Sequence, residues 1–429
     1  MSAVGNASQA VEPDLSSLSC EHVLHVFPSL GVGGVPLRMV RIINHFGKRF
    51  RHTVVALDNN FEAAAGIDGS LDVALWPVRQ PPRGMLRSVA GGIAVLRRFR
   101  PDLLLTYNWG AIEWAMAARL SPVRRHIHLE AGFSQREADS QILRRVLFRR
   151  LALARCALVV VPSRQLENLA SRVWRVPAAR VAYIPNGIDA VRFCAPLRDT
   201  IPGFARRPGE LVIGTVAPLR PEKNIGRLLR VFAMLGNPAP LRLVVAGDGV
   251  ERGALGRLAA QLGIADWVIF TGRVAPESVL GTFDIFALSS DTEQMPNALL
   301  EAMAASRAIA AVDVGDVKTI VCEENREFIV ARDDEPAFAA AITRLLHSPE
   351  KREILGALNH RRAATEILSG TNVLRLFQSL WRRPRSLRTP AREWAALYSC
   401  IPSPVRTVRP PKQRHWQSSP EWACRRRGC

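Results

Sequence analysis

Short apolar runs of β type alternate with helical patterns along most of this chain. The run His22–Phe27 precedes the helical pattern Val35–His45, and the run Leu103–Tyr107 precedes the pattern Ala111–Leu120. A strand that is repeatedly followed by a helix is typical of a doubly wound parallel sheet with helices on both faces. The alternation therefore predicts the α/β fold class.

The alternation pauses in the turn-rich stretch Pro185–Asp189 and restarts at the run Leu211–Val216. Two Rossmann-like halves, split near residue 195, suit a chain of 429 residues better than one large sheet. Open α/β sheets bind ligands outside the carboxyl ends of their strands, so we expect facing halves with the active site in the cleft between them. The predicted organisation is a disordered lead (1–20), an N-terminal half (21–195), a C-terminal half (196–370), a short segment (371–383) and a basic, disordered tail (384–429).

The charge of the chain is strongly positive and unevenly distributed. Lys and Arg number 58 against 38 Asp and Glu, a net charge of +20, and residues 385–429 hold ten basic and two acidic residues of this total. Such a surplus indicates an anionic partner, either nucleic acid, a nucleotide or an anionic membrane. It carries no information about the fold.

The cysteines and the apolar runs indicate the compartment. The seven cysteines are scattered without metal-ligand spacing, which argues against a disulfide scaffold or a zinc module. No apolar run reaches the roughly 18 residues of a membrane span, and Met1–Cys20 lacks the features of a secretory signal. We therefore expect a cytoplasmic protein.

Three loops between a strand and a helix are candidate anion sites. Gly31–Pro36 offers backbone amides at a helix start, although the third glycine of the dinucleotide fingerprint is absent. Leu219–Asn224 carries Arg220 and Lys223, which suit a diphosphate, and Gly247–Gly249 follows a further strand. Each loop taken alone is equally compatible with an ordinary turn or a solvated surface.

The stretch around Glu293 and Glu301 is the most informative. Pro296 starts a helix, so Glu301 lies about one and a half turns into it. Both carboxylates can approach one ligand, while the free amides near Met295–Ala298 face its anionic part. Spacing alone leaves a capped helix with surface glutamates as the simpler interpretation.

This stretch resembles the E-x7-E motif of the retaining GT-B glycosyltransferases, the group 1 or family 4-like enzymes, with Glu293 and Glu301 at the two glutamates. The resemblance extends over roughly residues 22–380 and implies a fold of two facing Rossmann-like domains. It implies that residues 21–195 form the acceptor domain, that residues 196–370 form the donor domain, and that a helix at 371–383 packs back on the first domain. Five further stretches match the group in the same order: Gly31–Arg38, Ile184–Asp189, Arg220–Asn224, Gly247–Glu251 and Phe270–Val274.

The resemblance implies roles for the matching residues. Glu301 would hold the ribose of the donor, and Glu293 would lie near the transferred sugar. Arg220 and Lys223 would neutralise the diphosphate leaving group. The remaining donor-binding residues that the resemblance implies are Gly33 and Gly34 in a closing loop, Gly247, Arg273 and Val274 against the base, and Met295, Pro296 and Asn297 around the sugar and phosphate.

The chain departs from the family pattern in three places. Ala217–Leu219 stands where many relatives have Gly-Arg-Leu, so one phosphate cation is missing and Arg220 is a candidate substitute. Gln294 and Met295 replace the family's Gly-Phe. Glu130 or Ala131 stands where relatives often have a histidine facing the sugar. Glu130 could hydrogen-bond the sugar or acceptor, or it could support the loop.

The resemblance implies a glycosyltransferase that moves a sugar from a nucleotide sugar to a glycan or lipid-linked acceptor with retention, in cell-surface polysaccharide or glycolipid synthesis. No metal and no cofactor are expected. A nucleotide-sugar epimerase on the same fold is disfavoured by the E-x7-E match. The alternative of another class is a catalytically impaired GT-B scaffold whose basic tail binds nucleic acid or membrane; for the enzyme no nucleic acid partner is expected.

A basic helical stretch is predicted from Glu137 to Arg155. Leu143, Leu147 and Leu151 share one face with Ala154, and arginines fill much of the rest. One interpretation is peripheral docking on an anionic membrane at the inner face of the cytoplasmic membrane, which would suit a lipid-linked acceptor. The other is a helix packed on the sheet with its arginines in solvent.

Overall fold

This computed structural model describes residues 21–366 except 79–83, 133–136, 138–139, 189, 194–200, 202–203 and 237–239. The predictions for the lead (1–20), the packing helix (371–383) and the tail (384–429) lie outside the described residues.

The first sheet has seven parallel strands, and with its helices it forms what we call the N-terminal domain. Its strands are β1 (Glu21–Phe27), β2 (Phe50–Ala56), β3 (Val73–Pro77), β4 (Leu103–Tyr107), β5 (His126–Leu129), β6 (Leu158–Val161) and β7 (Val181–Tyr183). Their spatial order is β3-β2-β1-β4-β5-β6-β7, so the order reverses between β1 and β4. This reversal creates the crevice at which such sheets bind ligands.

Helices cover both faces of this sheet. They are α1 (Gly34–Phe46), α2 (Met85–Phe99), α3 (Ile112–Arg119), α4 (Leu143–Leu153) and α5 (Arg164–Asn168). The apolar residues of α1 pack on one face, and those of α2 to α5 pack on the other. The described helices of the N-terminal domain thus sandwich a sheet whose central strands are buried on both sides.

The second sheet has six parallel strands, and with its helices it forms the C-terminal domain. Its strands are β8 (Leu211–Val216), β9 (Leu241–Ala246), β10 (Val268–Gly272), β11 (Ile285–Leu288), β12 (Ala308–Val312) and β13 (Ile329–Val330). Its helices are α6 (Ile225–Met234), α7 (Arg252–Gln261), α8 (Pro276–Val279), α9 (Asn297–Ala304), α10 (Val317–Ile320), α11 (Glu335–Leu346) and α12 (Pro349–Glu366). The order β10-β9-β8-β11-β12-β13 repeats that of the first six strands of the N-terminal sheet.

The predicted α/β class with two Rossmann-like domains is confirmed. The sequence does not predict β3, β7, α2, α8, α10 or α12. β3 is an edge strand with partly exposed residues, and α12 is mostly polar, so their hydrophobic periodicity is weak. Within the described residues, no helix is both long and apolar enough to cross a bilayer.

The predicted helix Glu137–Arg155 is wrong in its start and in its buried face. Helix α4 begins only at Leu143, because Ile142 has extended backbone. The residues that α4 buries include Val146 and Arg149, whereas its leucine face is exposed. The interpretation that this helix packs with its arginines in solvent is therefore wrong for Arg149.

Candidate functional site

Glu293 and Lys223 meet at the carboxyl end of the C-terminal sheet. Lys223 Nζ lies 2.5 Å from Glu293 Oε1, and Ser290 Oγ donates a 2.8 Å hydrogen bond to the same oxygen. Lys223 comes from the loop between β8 and α6, and Glu293 from the loop between β11 and α9. The structure therefore brings together two predicted site residues that are 70 positions apart in the sequence.

Side-chain bonds lock these two loops together. Asn224 adopts the left-handed conformation (φ 41°) and caps α6 by accepting from the Arg227 amide at 3.0 Å. Its own amide donates to Asp291 Oδ1 at 2.9 Å. Arg227 pairs with Asp291 at 2.9 Å and donates to the Ser289 carbonyl at 2.8 Å. Lys223 and Glu293 are thus held by neighbours that also bond to each other.

Arg220 lies at the start of the same loop. Its side chain is exposed and forms no ion pair within the described part of the chain. The guanidinium is therefore open to an anion that binds beside Lys223.

Glu301 lies inside α9 and is largely withdrawn from water. Burial raises the pKa of this carboxyl to about 7, while the charges of Arg41 and Arg192 act in the opposite direction and Glu277 adds to the rise. A carboxylate in such surroundings gains by accepting hydrogen bonds from hydroxyl groups of a ligand. The predicted second glutamate of the motif thus has an environment suited to a hydroxyl-bearing partner.

The start of α9 is anchored by the turn between the two domains. Asn186 Nδ2 donates to the Met295 carbonyl at 2.8 Å and to Asn297 Oδ1 at 3.0 Å. Arg38 Nη1 donates in turn to Asn186 Oδ1 at 2.8 Å. Pro296 precedes the helix with extended backbone, so the first-turn amides of α9 lack partners inside the helix.

The glycine loop of the N-terminal domain reaches this helix start. Gly33 precedes α1 with extended backbone, and α1 begins at Gly34. A Cβ on Gly34 would lie 2.9 Å from Asn297 Nδ2, so the two domains approach closely there. The structure therefore brings Gly34, with Gly33 beside it, to the amide-bearing end of α9, and the closing of this loop over a donor stays a prediction.

Gly247 supports the site through the backbone. It has φ +147°, and a Cβ there would lie 1.8 Å from the Ala217 carbonyl oxygen. Its amide donates to the Gly272 carbonyl at 2.9 Å. Only glycine tolerates this approach, which joins the loop that precedes Arg220 to the loop that carries Arg273.

Arg273 and Val274 make their contacts with residues other than Lys223 and Glu293. The Arg273 guanidinium pairs with Glu62 of the N-terminal domain at 3.0 Å, and Val274 packs against the core of the C-terminal domain. The expected contact of these two residues with a nucleotide base stays a prediction.

Glu130 is not presented to the cleft. Its side chain is 0% exposed, and Oε2 lies 3.5 Å from Arg149 Nε and 3.6 Å from His128 Nε2. The Arg149 guanidinium is itself held between the rings of Trp109 and Trp174. The structure therefore favours support of the domain interior over the predicted contact of Glu130 with a sugar or an acceptor.

Gln294, one of the departures from the family pattern, faces the N-terminal domain. Its Oε1 accepts a 2.7 Å hydrogen bond from Ser163 Oγ at the start of α5. Asp316 reinforces this contact by accepting from the Arg164 amide at 2.7 Å. The side chain of Gln294 thus ties the two domains together beside Glu293.

A polar cavity of about 270 Å³ opens beside Glu293. Gln165 of the N-terminal domain lines one side, and Glu293, Gly315 and Arg332 are among the lining residues of the C-terminal domain. Carboxylate, amide and guanidinium groups around one space suit a ligand rich in hydroxyl groups.

Sequence reasoning missed Arg38 and Asn186 as site residues. Arg38 follows Gly34 by one helical turn, which is the signal that could have placed it on the cleft side of α1. Burial lowers the pKa of Arg38 to about 10, and its Nη2 has no hydrogen-bond partner among the described residues. Asn186 lies within the Pro-Asn-Gly turn that marks the domain junction.

Two family models together cover most of the described chain. Residues 199–361 match the model for glycosyl transferases group 1, and residues 32–192 match the model for glycosyltransferase family 4. The two matches correspond to the C-terminal and N-terminal domains.

Relatives and solved structures agree with these matches. The chain is 31% identical to the putative glycosyltransferase EpsF of Bacillus subtilis over 67% of its own length and 77% of that protein. It is 31% identical to D-inositol 3-phosphate glycosyltransferase of Stackebrandtia nassauensis over 60% of each chain. The chain spans 55–60% of the length of the first curated relatives that it matches.

The fold is similar to that of Anabaena HepE, solved in complex with UDP and glucose. The TM-score is 0.72 at 17% identity, over 84% of this chain and 99% of the HepE chain. The predicted GT-B arrangement of two Rossmann-like domains is thereby confirmed.

Proposed function

The chain belongs to the group 1 glycosyltransferases, and on this premise we propose that it transfers a sugar from a nucleotide-sugar donor to an acceptor hydroxyl. The observation that carries the proposal is the Lys223–Glu293 contact of 2.5 Å, in a loop that leads directly into the helix of Glu301. The Lys223 cation suits the diphosphate of such a donor, and the amides at the start of α9 suit its sugar. The Glu301 carboxylate, the second one in this stretch, suits its ribose.

The donor binds with its ribose at Glu301 and its diphosphate at the glycine loop, Arg220 and Lys223. We assign the transferred sugar, a hexose, to the polar cavity beside Glu293. UDP is the nucleotide that we propose first, because the similarly folded HepE was solved with UDP. Arg273 and Val274 remain the residues proposed to lie near the base.

In the proposed reaction the bond between the sugar C1 and the diphosphate oxygen breaks. The acceptor oxygen forms its bond to C1 on the same face, so the configuration is retained, and the acceptor proton passes to the leaving phosphate oxygen. Lys223 and Arg220 stabilise the charge that develops on the diphosphate, and the fixed loops supply orientation. The proposal assigns no step to a metal ion or another cofactor.

The acceptor that we propose is a glycan or a lipid-linked sugar, in cell-surface polysaccharide or glycolipid synthesis. Glu130, which stands where the family often has a histidine, is buried and is therefore not proposed to position the acceptor.

The test is release of nucleoside diphosphate by the full chain from UDP-, GDP- and ADP-sugars, each with and without a saccharide acceptor. We expect turnover with one of these donors, and product analysis by NMR should show the anomeric configuration of the donor retained. Inversion would contradict the retaining mechanism alone. Binding of a nucleoside diphosphate without turnover on any donor would instead favour the catalytically impaired scaffold.

A further inference from the structure

Three leucines of α4 face solvent in a single stripe. Leu143, Leu147 and Leu151 are 70%, 48% and 54% exposed, although they are apolar and follow one another at intervals of four. Residues at this spacing lie above one another on one face of a helix. We call these three side chains the leucine stripe.

The outward direction of the stripe is fixed by the opposite face of α4. Arg149 on that face is fully buried and lies 3.1 Å from Glu137 Oε1. Its guanidinium stacks on Trp109 and Trp174, at 4.7 and 4.8 Å from their ring centres. If α4 rotated so that the leucines faced inward, Arg149 would become exposed and lose its contacts with Glu137, Trp109 and Trp174. The leucine stripe is therefore a stable surface of the folded domain.

The surroundings of the stripe are positively charged. Arg144 and Arg155 are exposed on and next to α4, and the sequence has no Asp or Glu between residues 140 and 166. Residues 85–180, which span α2 to α5, contain seventeen arginines and six acidic residues. Together with the +8 of residues 385–429, this surplus of eleven accounts for nearly all of the net charge of +20.

The stripe begins on the side of the sheet that carries the cleft. In a parallel βα arrangement every helix starts at the carboxyl end of the preceding strand, and ligands bind at that edge. Leu143 is the first residue of α4, and the exposed Met85 and Leu86 begin α2 at the same edge. If a membrane surface touches these residues, an acceptor anchored in that surface would therefore lie next to the cleft.

We propose that the leucine stripe and its flanking arginines dock this enzyme on an anionic phospholipid bilayer. The leucines enter the boundary between headgroups and acyl chains, while Arg144 and Arg155 contact the lipid phosphates. The charge selects this partner over a neutral protein surface, since arginine pairs well with phosphate and residues 140–166 contain no Asp or Glu. The docking is a property of the N-terminal domain and does not require that the proposed donor be correct.

The test measures co-sedimentation of the full chain with vesicles of phosphatidylcholine alone and of phosphatidylcholine mixed with phosphatidylglycerol. The variant is Leu143→Gln/Leu151→Gln. Its matched control is Met234→Gln/Ile354→Gln, two helical residues of the C-terminal domain that are 52% and 58% exposed. A second variant, Arg144→Gln/Arg155→Gln, measures the electrostatic part at low and high salt.

We expect the wild type and the control to bind the anionic vesicles and to bind the neutral ones more weakly. The leucine variant should partition at least about tenfold more weakly. Each arginine removed should cost about fivefold at low salt and less at high salt. Vesicle binding that the leucine variant leaves unchanged would overturn the proposal and move the membrane contact to another part of the chain.

Two further results would also overturn it. If no variant of the chain binds vesicles, the stripe has another partner. If the wild type sediments as a dimer without vesicles and the leucine variant as a monomer, the stripe joins two copies of the chain. Melting temperatures of both variants with and without UDP are measured in parallel, so that loss of docking is distinguished from loss of the proposed donor site.

Discussion

The two domains share one strand order but use their charged residues differently. In the C-terminal domain Lys223, Asp291 and Glu293 lie in loops at the carboxyl ends of the strands. In the N-terminal domain Glu130 and Arg149 are buried beneath the helices, while other arginines face outward. One scaffold thus carries the proposed donor site in one half, and in the other it carries an internal charge cluster beneath a basic surface.

The two domains also differ in the organisation of their hydrophobic cores. The buried apolar residues of the C-terminal domain form one cluster, whereas those of the N-terminal domain form three. Polar side chains are also buried in this domain, for example His25, which packs beside Phe27 and Tyr107 of one cluster. Its ring bonds to His52 at 3.0 Å and to Tyr107 at 2.9 Å. The N-terminal domain therefore depends on buried groups that must stay neutral.

The largest predicted difference between the domains is their response to acid. Burial lowers the pKa of His52 to about 4 and that of His126 to about 3, from the ordinary histidine value of about 6.5. Each neutral histidine contributes fully to the free energy of unfolding above the pKa that it has in the unfolded chain, about 6.5, and this contribution is lost as the pH falls below that value. At about pH 5 each histidine should lower the free energy of unfolding by about 2 kcal/mol, so the N-terminal domain should open first.

Hydrogen exchange at about pH 7 and about pH 5 checks this expectation on the amides of β1 and β5 against those of β8 and β12. The variant His52→Gln should lose part of the difference, since His126 and His25, whose pKa values burial also lowers, would remain. Equal loss of protection in both sheets would remove the proposed contrast between the cores.

The second prediction concerns the donor chemistry of the C-terminal domain. Lys223→Ala removes the cation at Glu293 and should lower turnover at saturating donor by about 10²-fold or more. Lys351→Ala in α12 is the control, because Lys351 contacts Glu327 on the surface. Unchanged turnover of the Lys223 variant would show that this residue does not stabilise the diphosphate leaving group.

The third prediction separates support from catalysis in the N-terminal domain. Glu130→Gln removes a buried charge beside Arg149 and should lower the free energy of unfolding by about 1–3 kcal/mol. Donor turnover per folded molecule should stay unchanged. The surface substitution Glu167→Gln should cost less than about 1 kcal/mol. Full stability of the Glu130 variant with lost turnover would restore its catalytic role.

The smallest effect is expected where the two domains touch. Gly34→Ala places a Cβ 2.9 Å from Asn297 Nδ2, the flexible end of a side chain that can move aside. The KM for the donor should rise severalfold, while the melting temperature stays level or increases because alanine favours the helix start by up to about 1 kcal/mol. Gly69→Ala, with nothing within 4 Å of the new Cβ, should leave KM unchanged.

The sequence predicted the fold class, and it brought out the loops of the proposed donor site, because both depend on local patterns. Apolar periodicity marks strands and helices, and Glu293 and Glu301 lie at a fixed spacing in one stretch. Lys223 was assigned through the motif that contains it, and the contact with Glu293 follows from the parallel strand order. The weakly periodic β3 and α12 lacked such a signal.

The orientation of α4 could not be predicted in this way. The apolar pattern leaves open whether the leucines pack on the sheet or face a membrane. Trp109 and Trp174 are distant in the sequence and together make a site that buries Arg149. The contact of Gln294 with Ser163 likewise depends on how the domains approach each other. Both features arise from tertiary packing, which overrides the local pattern.

We expect the C-terminal domain to bind a nucleoside diphosphate through Glu301, and this is the central expectation for the molecule. Titration calorimetry with UDP between about pH 6 and pH 8 tests it most directly. Burial raises the pKa of Glu301 to about 7, and only its ionised form accepts from both ribose hydroxyls. The affinity of the wild type should therefore rise with pH through about 7, by up to about tenfold per unit below the pKa. Glu301→Gln should bind UDP more weakly and keep only the pH dependence of the phosphate. Identical pH profiles for the two proteins, or no binding of UDP, GDP or ADP by the wild type, would contradict the claim.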